Sequence, residues 1–288
     1  MRNDNSAAPS TGPPIRCERL VKIYPSPSGE THALRGVEAR FVSGTLTAVT
    51  GPSGSGKSSL LSIIALQERQ SGGELWLQGR DTTELRASDM RRLRRRNVGW
   101  VAQRPTDNLY DTLTARQWIT TVTQLRGAQL RGARHACDDL LERLGLSSRA
   151  AAMVRQLSGG EQQRLAVAAA VTAGPAIVVA DEPTAELDDA SADLVLAELR
   201  RCAHAGSCVV LATHDARAVA VADRELHLRH GVLSSDQHGS GPAGAAIDST
   251  GRVQLPPAAL ALFPNGRTLI DVTDSEVHMR PFPPSERP

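Results

Sequence analysis

Between residues 15 and 233, short apolar runs alternate with stretches whose apolar residues recur at helical spacing. Residues 45–50 and 98–102 are short β-type runs, and 176–180 and 207–213 are apolar nearly throughout. A strand without a polar face is buried on both sides, so these runs predict a parallel sheet flanked by helices. Leu194, Leu196 and Leu199 recur at helical spacing within 188–204, between two of the predicted strands. The alternation predicts one α/β domain over 15–233. Residues 111–156 carry no strong strand signal. Trp118, Val122 and Leu125, then Leu140, Leu141 and Leu144, predict a helical subdomain over about 105–157. Residues 234–246 are rich in Ser, Gly and Ala and read as a linker. Beyond them, 251–256, 267–272 and 276–280 alternate like short strands, and 257–262 fits one or two helical turns, which predicts a small β-rich appendage over 247–288. Residues 1–14 are polar and proline-rich and read as disordered.

Composition narrows the functions. Of 288 residues, 40% are hydrophobic, enough for a sizeable core. Formal net charge is +2, from 33 basic and 31 acidic side chains, which excludes recognition of nucleic acid or acidic lipid through bulk charge. Only Lys22 and Lys57 are lysines. Cys17, Cys137, Cys202 and Cys208 show neither CxxC nor zinc-ligand spacing and read as reduced, buried thiols. The longest apolar run, 165–180, is broken by Gly174-Pro175 and is shorter than the ~20 residues of a spanning helix. The expectation is a chain soluble by itself.

Three motifs carry chemistry. Gly51-Pro52-Ser53-Gly54-Ser55-Gly56-Lys57-Ser58 matches G-x-x-x-x-G-K-[ST] at each fixed position, after a strand-like run and before a helical pattern. Its glycines let successive N–H groups point at phosphate oxygens, and the helix N-terminus adds partial positive charge. Lys57 is placed to reach the β- and γ-phosphates and the Ser58 hydroxyl to ligate Mg²⁺. An arginine-rich chain that keeps lysine here is notable, because a guanidinium fork does not replace a compact ammonium. Second, the apolar run 176–180 ends in Asp181-Glu182. Asp181 suits Mg²⁺, and Glu182 suits a general base that polarises the attacking water. Third, Ser158-Gly159-Gly160-Glu161 is an S-x-x-E capping box whose glycines leave helix N–H groups unobstructed. It is a second anion site, which one nucleotide does not obviously need.

Taken together, Gly51–Ser58, Asp181-Glu182 and Leu157-Ser-Gly-Gly-Glu-Gln-Gln-Arg164 resemble the ATP-binding-cassette (ABC) family over roughly 15–233. The resemblance implies a P-loop NTPase core, a RecA-like sheet plus an antiparallel β subdomain, with a helical subdomain. It also implies a head-to-tail dimer, homodimer or heterodimer, in which each ATP lies between one subunit's phosphate loop and the other's signature helix. That resolves the two anion sites. Residues 51–59, including Ser59, would then hold phosphates from one side, and Ser158, Gly159, Gly160 and Glu161 from the other. Gln103 resembles the glutamine that senses Mg²⁺ and water, His214 the switch histidine at the γ-phosphate, and Tyr24 the aromatic that stacks on adenine. Glu186-Leu187-Asp188 resembles the D-loop, although Glu186 stands where the family usually has a small residue. Residues 107–114 sit where family members receive the membrane partner.

The expected function is an ATP-hydrolysing subunit driving a permease on a separate chain, peripheral on the inner face of the cell membrane. The opening stretch and phosphate loop look most like the lipoprotein-releasing and macrolide-exporting branch, which implies export or extraction of an amphipathic substrate. A non-transporting complex that controls an extracytoplasmic hydrolase is the alternative. A soluble ABC ATPase acting on nucleic acid or ribosomes lacks its sequence signs, namely a second cassette, long insertions or a strong basic footprint. A run of arginines from Arg91 to Arg96 reads as a solvated helix face.

Overall fold

A computed structural model describes residues 12–27, 29–127, 133–239, 244–247, 251, 253, 255, 257–263, 267–274 and 276–281. Strands β1 (Ile15–Ser26) and β2 (Gly29–Phe41) form a long hairpin. β3 (Leu46–Thr50) leads into α1 (Lys57–Ile64), and β4 (Gly72–Leu77) and β5 (Arg80–Asp81) return to the hairpin. α2 (Ala87–Asn97) precedes β6 (Val98–Val101). The helical segment holds α3 (Ala115–Leu125) and α4 (Ala133–Arg143). α5 (Gly159–Val171), β7 (Ile177–Asp181), α6 (Asp189–His204), β8 (Cys208–Ala212) and α7 (Ala216–Ala220) follow. The hairpin β9 (Arg224–Arg229) and β10 (Val232–His238) comes next, then β11 (Gly244–Ala245), α8 (Pro257–Leu260), β12 (Thr268–Val272) and β13 (Val277–Pro281).

The main sheet has the order β11-β10-β9-β3-β8-β7-β6. Its members from β9 to β6 are parallel, and β10 and β11 add antiparallel at one edge. The runs read as doubly buried strands behave so. Along β7 and β8, Val178, Ala180, Val209 and Leu211 face a core with α5, α6, α3 and α4, while Val179 and Val210 face a core with α1 and the antiparallel sheet. Each large aliphatic buried in this way stabilises the fold by roughly 1.5–3 kcal/mol. The second sheet, β2-β1-β4-β5, seats Ile15, Leu20, Leu34 and Phe41 against Leu60, Leu61 and Ile64 of α1, which fixes the helix that follows the phosphate loop.

The helical segment is tied to the core at several points. Thr114 and Gln117 make a capping box at the start of α3. At its end, the partly buried Arg126 donates to Ala170 O at 2.8 Å, and desolvation holds its guanidinium down at about 10. Gly99 of β6 lets α5 approach closely, since a Cβ there would lie 2.1 Å from Ala170 O. Glu198 of α6, with a side chain 2% exposed, accepts from Arg143 of α4 at 2.8 Å and from Arg201 at 3.0 Å.

Burial pushes the Glu198 carboxyl up, and the Arg201 and Arg143 hydrogen bonds more than offset this, leaving it below the usual range. A depressed carboxylate stabilises the fold above its unfolded pKa, and that contribution is lost as pH falls through the folded value. Glu198→Gln should therefore lower the unfolding midpoint at neutral pH and flatten its acid decline. The arginines are partly exposed, so the cost should be about 1–3 kcal/mol, a drop of roughly 2–10 °C. Thermal unfolding between pH 7 and 4 measures it, and an unchanged midpoint and slope would contradict the tie.

Residues 234–238 are not a linker. They belong to β10, which pairs with β9 through backbone bonds that a polar strand near the sheet edge makes without an apolar pattern. Only Ser235 and Asp236 of that segment pair onward, with β11. β12 and β13 pair with each other in a separate two-stranded sheet where short strands are expected. Val253 makes a single bridge to Ile247. The N-terminal segment read as disordered lies outside the described residues up to residue 11, as do residues 240–243 of the predicted linker.

Candidate nucleotide site

The parallel register brings the candidate residues to one edge. Val49 pairs with Ala212, Asp181 with Ala212, and Val101 with Ala180. The phosphate loop, Asp181-Glu182, the 213–215 turn and Gln103 therefore all leave the sheet at the C-terminal ends of its strands, where open α/β sheets bind ligands.

The loop is a backbone cradle. Gly51 turns it at φ 140°, and a Cβ there would lie 2.0 Å from Leu228 O. Gly56 caps α1 with φ 103° and no side-chain acceptor, so the first N–H groups of the helix have no capping side chain. Lys57 Nζ donates to Gly51 O at 2.8 Å and to Pro52 O at 3.2 Å, which holds the ammonium across the loop. Ser55 Oγ is buried without a hydrogen-bond partner. Ser53 and Gly54 form the exposed tip of the turn.

Asp181 ends β7 and is 4% exposed. Burial raises its pKa, and a hydrogen bond from Ser58 and the charge of Lys57 act the other way. Its Oδ1 is buried and has no partner. A buried carboxylate oxygen lacking a donor, beside a serine hydroxyl, is a hard-oxygen set that fits Mg²⁺. Glu182 follows with φ 49°, a left-handed backbone rare outside glycine. Its N–H donates to Ala212 O at 3.0 Å, so the strand pairing fixes the unusual turn. Glu182 Oε2 lies 2.9 Å from His214 Nδ1, and the His214 ring is 78% exposed. A cleft of about 370 Å³ opens between these two residues, Thr184 and Glu186.

Gln103 is exposed where β6 turns toward the helical segment. Tyr24 OH donates to Glu68 Oε2 at 2.8 Å and accepts from the Ser59 hydroxyl at 3.3 Å, which sets its ring beside the start of α1. Burial raises its phenol pKa. Lys22 Nζ lies 4.8 Å from the Tyr24 ring centroid and 2.8 Å from Glu68, a local role for the chain's other lysine.

The signature segment forms the cap its sequence predicts. Ser158 N donates to Glu161 Oε2 at 2.8 Å, and Glu161 N to Ser158 Oγ at 3.3 Å. Those bonds, with Arg149 at 3.1 Å, keep the Glu161 carboxyl low. Ser158 and Gly159 are exposed, so the positive end of α5 faces outward. Asp188 is exposed and caps α6 by accepting from Ser191 N at 2.8 Å, which lowers its pKa. The structure thus gathers Lys57, Ser58, Asp181, Glu182 and His214 at one place and shows Ser158–Glu161 as an open helix end.

Two positioning residues carry no sequence signal of that role. Gln163, buried in α5, donates to Pro183 O at 3.2 Å and ties the signature helix to the turn after Glu182. Asp215, beside His214, accepts from Thr184 Oγ1 at 3.0 Å and from the Arg217 guanidinium, which depresses its pKa.

Comparison with known proteins agrees with this geometry. The ABC transporter family profile matches residues 34–185. The macrolide export ATP-binding/permease protein MacB of Nitrobacter winogradskyi is 38% identical over 240 residues, 83% of this chain and 36% of its own length. MacB of Neisseria meningitidis is 34% identical over 222 residues, 77% of this chain and 34% of its own. The chain thus spans about a third of these relatives. A dimeric ATP-binding cassette in a post-hydrolysis state, bound to ADP and Pi, superposes with TM-score 0.73 at 27% identity, covering 79% of this chain and all of that one. A dimeric bacterial ABC transporter cassette gives 0.72 at 29% identity with the same coverage. The family match over more than half the chain, set on a phosphate loop facing a carboxylate–histidine pair, makes the chain an ATP-binding-cassette ATPase of the ABC transporter family.

Proposed function

We propose that this ATPase drives a membrane permease carried on a separate chain, for export or extraction of an amphipathic substrate, and stands at the inner face of the cell membrane through that permease. The observation that carries the reading is the pairing of a complete hydrolytic cluster with an outward-facing signature helix. Its direction comes from the relatives, whose names join an ATP-binding part to a permease and to macrolide export. None of the described helices is long and apolar enough to cross a membrane.

In the proposed cycle, ATP phosphates lie over residues 51–59, and Lys57 Nζ leaves the Gly51 and Pro52 carbonyls for the β- and γ-phosphates. Ser58, Asp181 and Gln103 would hold Mg²⁺, which when bound neutralises charge on phosphate oxygens. Tyr24 offers its ring to adenine. A second copy, or a second ABC chain, closes head to tail and places its Ser158, Gly159, Gly160 and Glu161 on the γ-phosphate, with Asp188 beside the junction. Glu182 takes the proton of the attacking water. His214, 2.9 Å away, holds that carboxylate and reaches the γ-phosphate.

The permease side of the reading is served by a groove of about 580 Å³ between α2, β6, α3 and α5. Trp100, Trp118 and Arg95 line it, next to the 107–114 segment. Reconstituted in liposomes with the permease of its own transport system, the chain should turn over ATP several-fold faster. Adding a macrolide or lipopeptide should raise the rate further, while added DNA or RNA should leave it unchanged. A rate indifferent to permease and substrate, or stimulated by nucleic acid, would overturn the transport reading.

A further inference from the structure

We infer that Glu225 and His227 are positioning residues for the phosphate loop and act on it through the Thr50 hydroxyl. Thr50 ends β3 and immediately precedes Gly51, where the loop begins. It is 9% exposed, and its backbone pairs with His227 in the parallel register of β3 and β9. Thr50 Oγ1 donates to Glu225 Oε1 at 2.6 Å and lies 3.0 Å from His227 Nδ1. A hydroxyl has one proton to give, and here the carboxylate takes it. The second contact is therefore the His227 Nδ1–H donating to Thr50. Donation runs from histidine to threonine to glutamate, which fixes both the His227 tautomer and the Thr50 rotamer. A hydrogen bond that ends on a carboxylate is of the stronger kind, and bonds in series polarise one another.

The same strand and its turn meet the loop again further on. Leu228 O lies where a Cβ on Gly51 would come within 2.0 Å. Gly231, in the turn after β9, donates its N–H to Ser55 O at 3.0 Å. On the other side of β3, Thr213 N donates to Val49 O at 3.1 Å. The stem of the loop is thus held from β8 through backbone, and from β9 through backbone and through the His227–Thr50–Glu225 chain. The contacts from β9 and its turn use the Thr50 hydroxyl and the Ser55 carbonyl, not the loop N–H groups that phosphate would take. A loop held in its binding geometry before the ligand arrives loses less of the interaction to ordering, which raises affinity. The chain of bonds therefore acts on ATP binding. The hydrolytic step belongs to Glu182 and His214, which follow β7 and β8.

The inference rests on the phosphate-loop reading and has its own readout. In the full chain, Thr50→Val keeps the shape of the side chain and removes the hydroxyl, while Thr50→Ser keeps the hydroxyl. Thr50→Val should raise the dissociation constant for a fluorescent ATP analogue, and KM for ATP, about three- to tenfold, the loss of one or two hydrogen bonds. Its kcat at saturating ATP should stay within about twofold of wild type, as should every parameter of Thr50→Ser. Glu225→Met and His227→Phe should weaken binding in the same direction, and neither should add to Thr50→Val, because the chain is already broken there. Affinity unchanged in Thr50→Val, with or without a lower unfolding midpoint, would overturn the inference. So would a Thr50→Ser variant as weak as Thr50→Val, or effects that multiply in the double variants. Should Thr50→Val fail to fold, the partly exposed Glu225→Met and His227→Phe decide the matter: weaker binding supports the inference and unchanged binding overturns it. Unchanged affinity in Lys57→Ala would count against the phosphate loop itself. Weakened affinity there, with Thr50→Val like wild type, would remove only the positioning role.

Discussion

Glu182→Gln is expected to lower ATP turnover about 10²–10⁴-fold while leaving ATP binding intact. The amide keeps the size and most hydrogen bonding of the carboxylate but cannot accept the proton of the attacking water. The protein invests in this side chain. Glu182 sits at φ 49°, a backbone that costs on the order of 1–3 kcal/mol, held by its N–H bond to Ala212 O and facing His214 at 2.9 Å. The variant should therefore bind ATP normally and accumulate a closed dimer that the wild type hydrolyses away. Phosphate release, nucleotide titration and sedimentation in the presence of ATP measure the three parts. A turnover within tenfold of wild type would remove Glu182 as the base.

Lys57→Ala should act at the earlier step, raising the dissociation constant for ATP by roughly 10–100-fold, the loss of one or two charge-assisted hydrogen bonds. The ammonium already spans the loop between the Gly51 and Pro52 carbonyls, so its removal takes away a brace of the cradle together with the proposed phosphate ligand. Lys57→Arg should not restore affinity, because the cradle around the Gly51 turn is set for a compact charge. Titration with a fluorescent ATP analogue reads the effect, and affinity unchanged in the alanine variant would contradict the phosphate site.

Much of this site is legible in sequence because its parts are local. A phosphate loop is eight consecutive residues, a strand-end carboxylate pair is two, and Ser158 and Glu161 make their cap across three positions. The doubly buried strands are legible because burial on both faces erases polar alternation. What is missed is held by long-range backbone pairing or by single contacts. β10 is polar and belongs to the sheet through its ladder with β9. Gln163 and Asp215 gain their roles only when α5 packs on the turn after Glu182 and when Thr184 meets the 213–215 turn. The tie between α4 and α6 joins Arg143 to Glu198 across 55 residues, a separation no local pattern reveals. Lys22 likewise makes sense only through Tyr24 and Glu68.

The central claim is that one catalytic site is built from two copies, the phosphate loop of one and the signature helix of the other. Gly159→Asp supplies a clean probe. A Cβ there meets nothing within 4 Å, and an acid in the first turn favours α5, so the fold is kept while a carboxylate meets the second copy's ATP. Gly159→Asp alone should bind ATP yet hydrolyse it slowly, and Lys57→Ala alone should bind ATP weakly and hydrolyse it slowly. The most direct test is to mix the two inactive variants and measure phosphate release. A mixed dimer holds one intact site, from the unaltered loop of the Gly159→Asp copy and the unaltered signature of the Lys57→Ala copy. Recovery of a substantial fraction of wild-type turnover is the predicted result. A mixture no more active than its separate components would contradict the shared site.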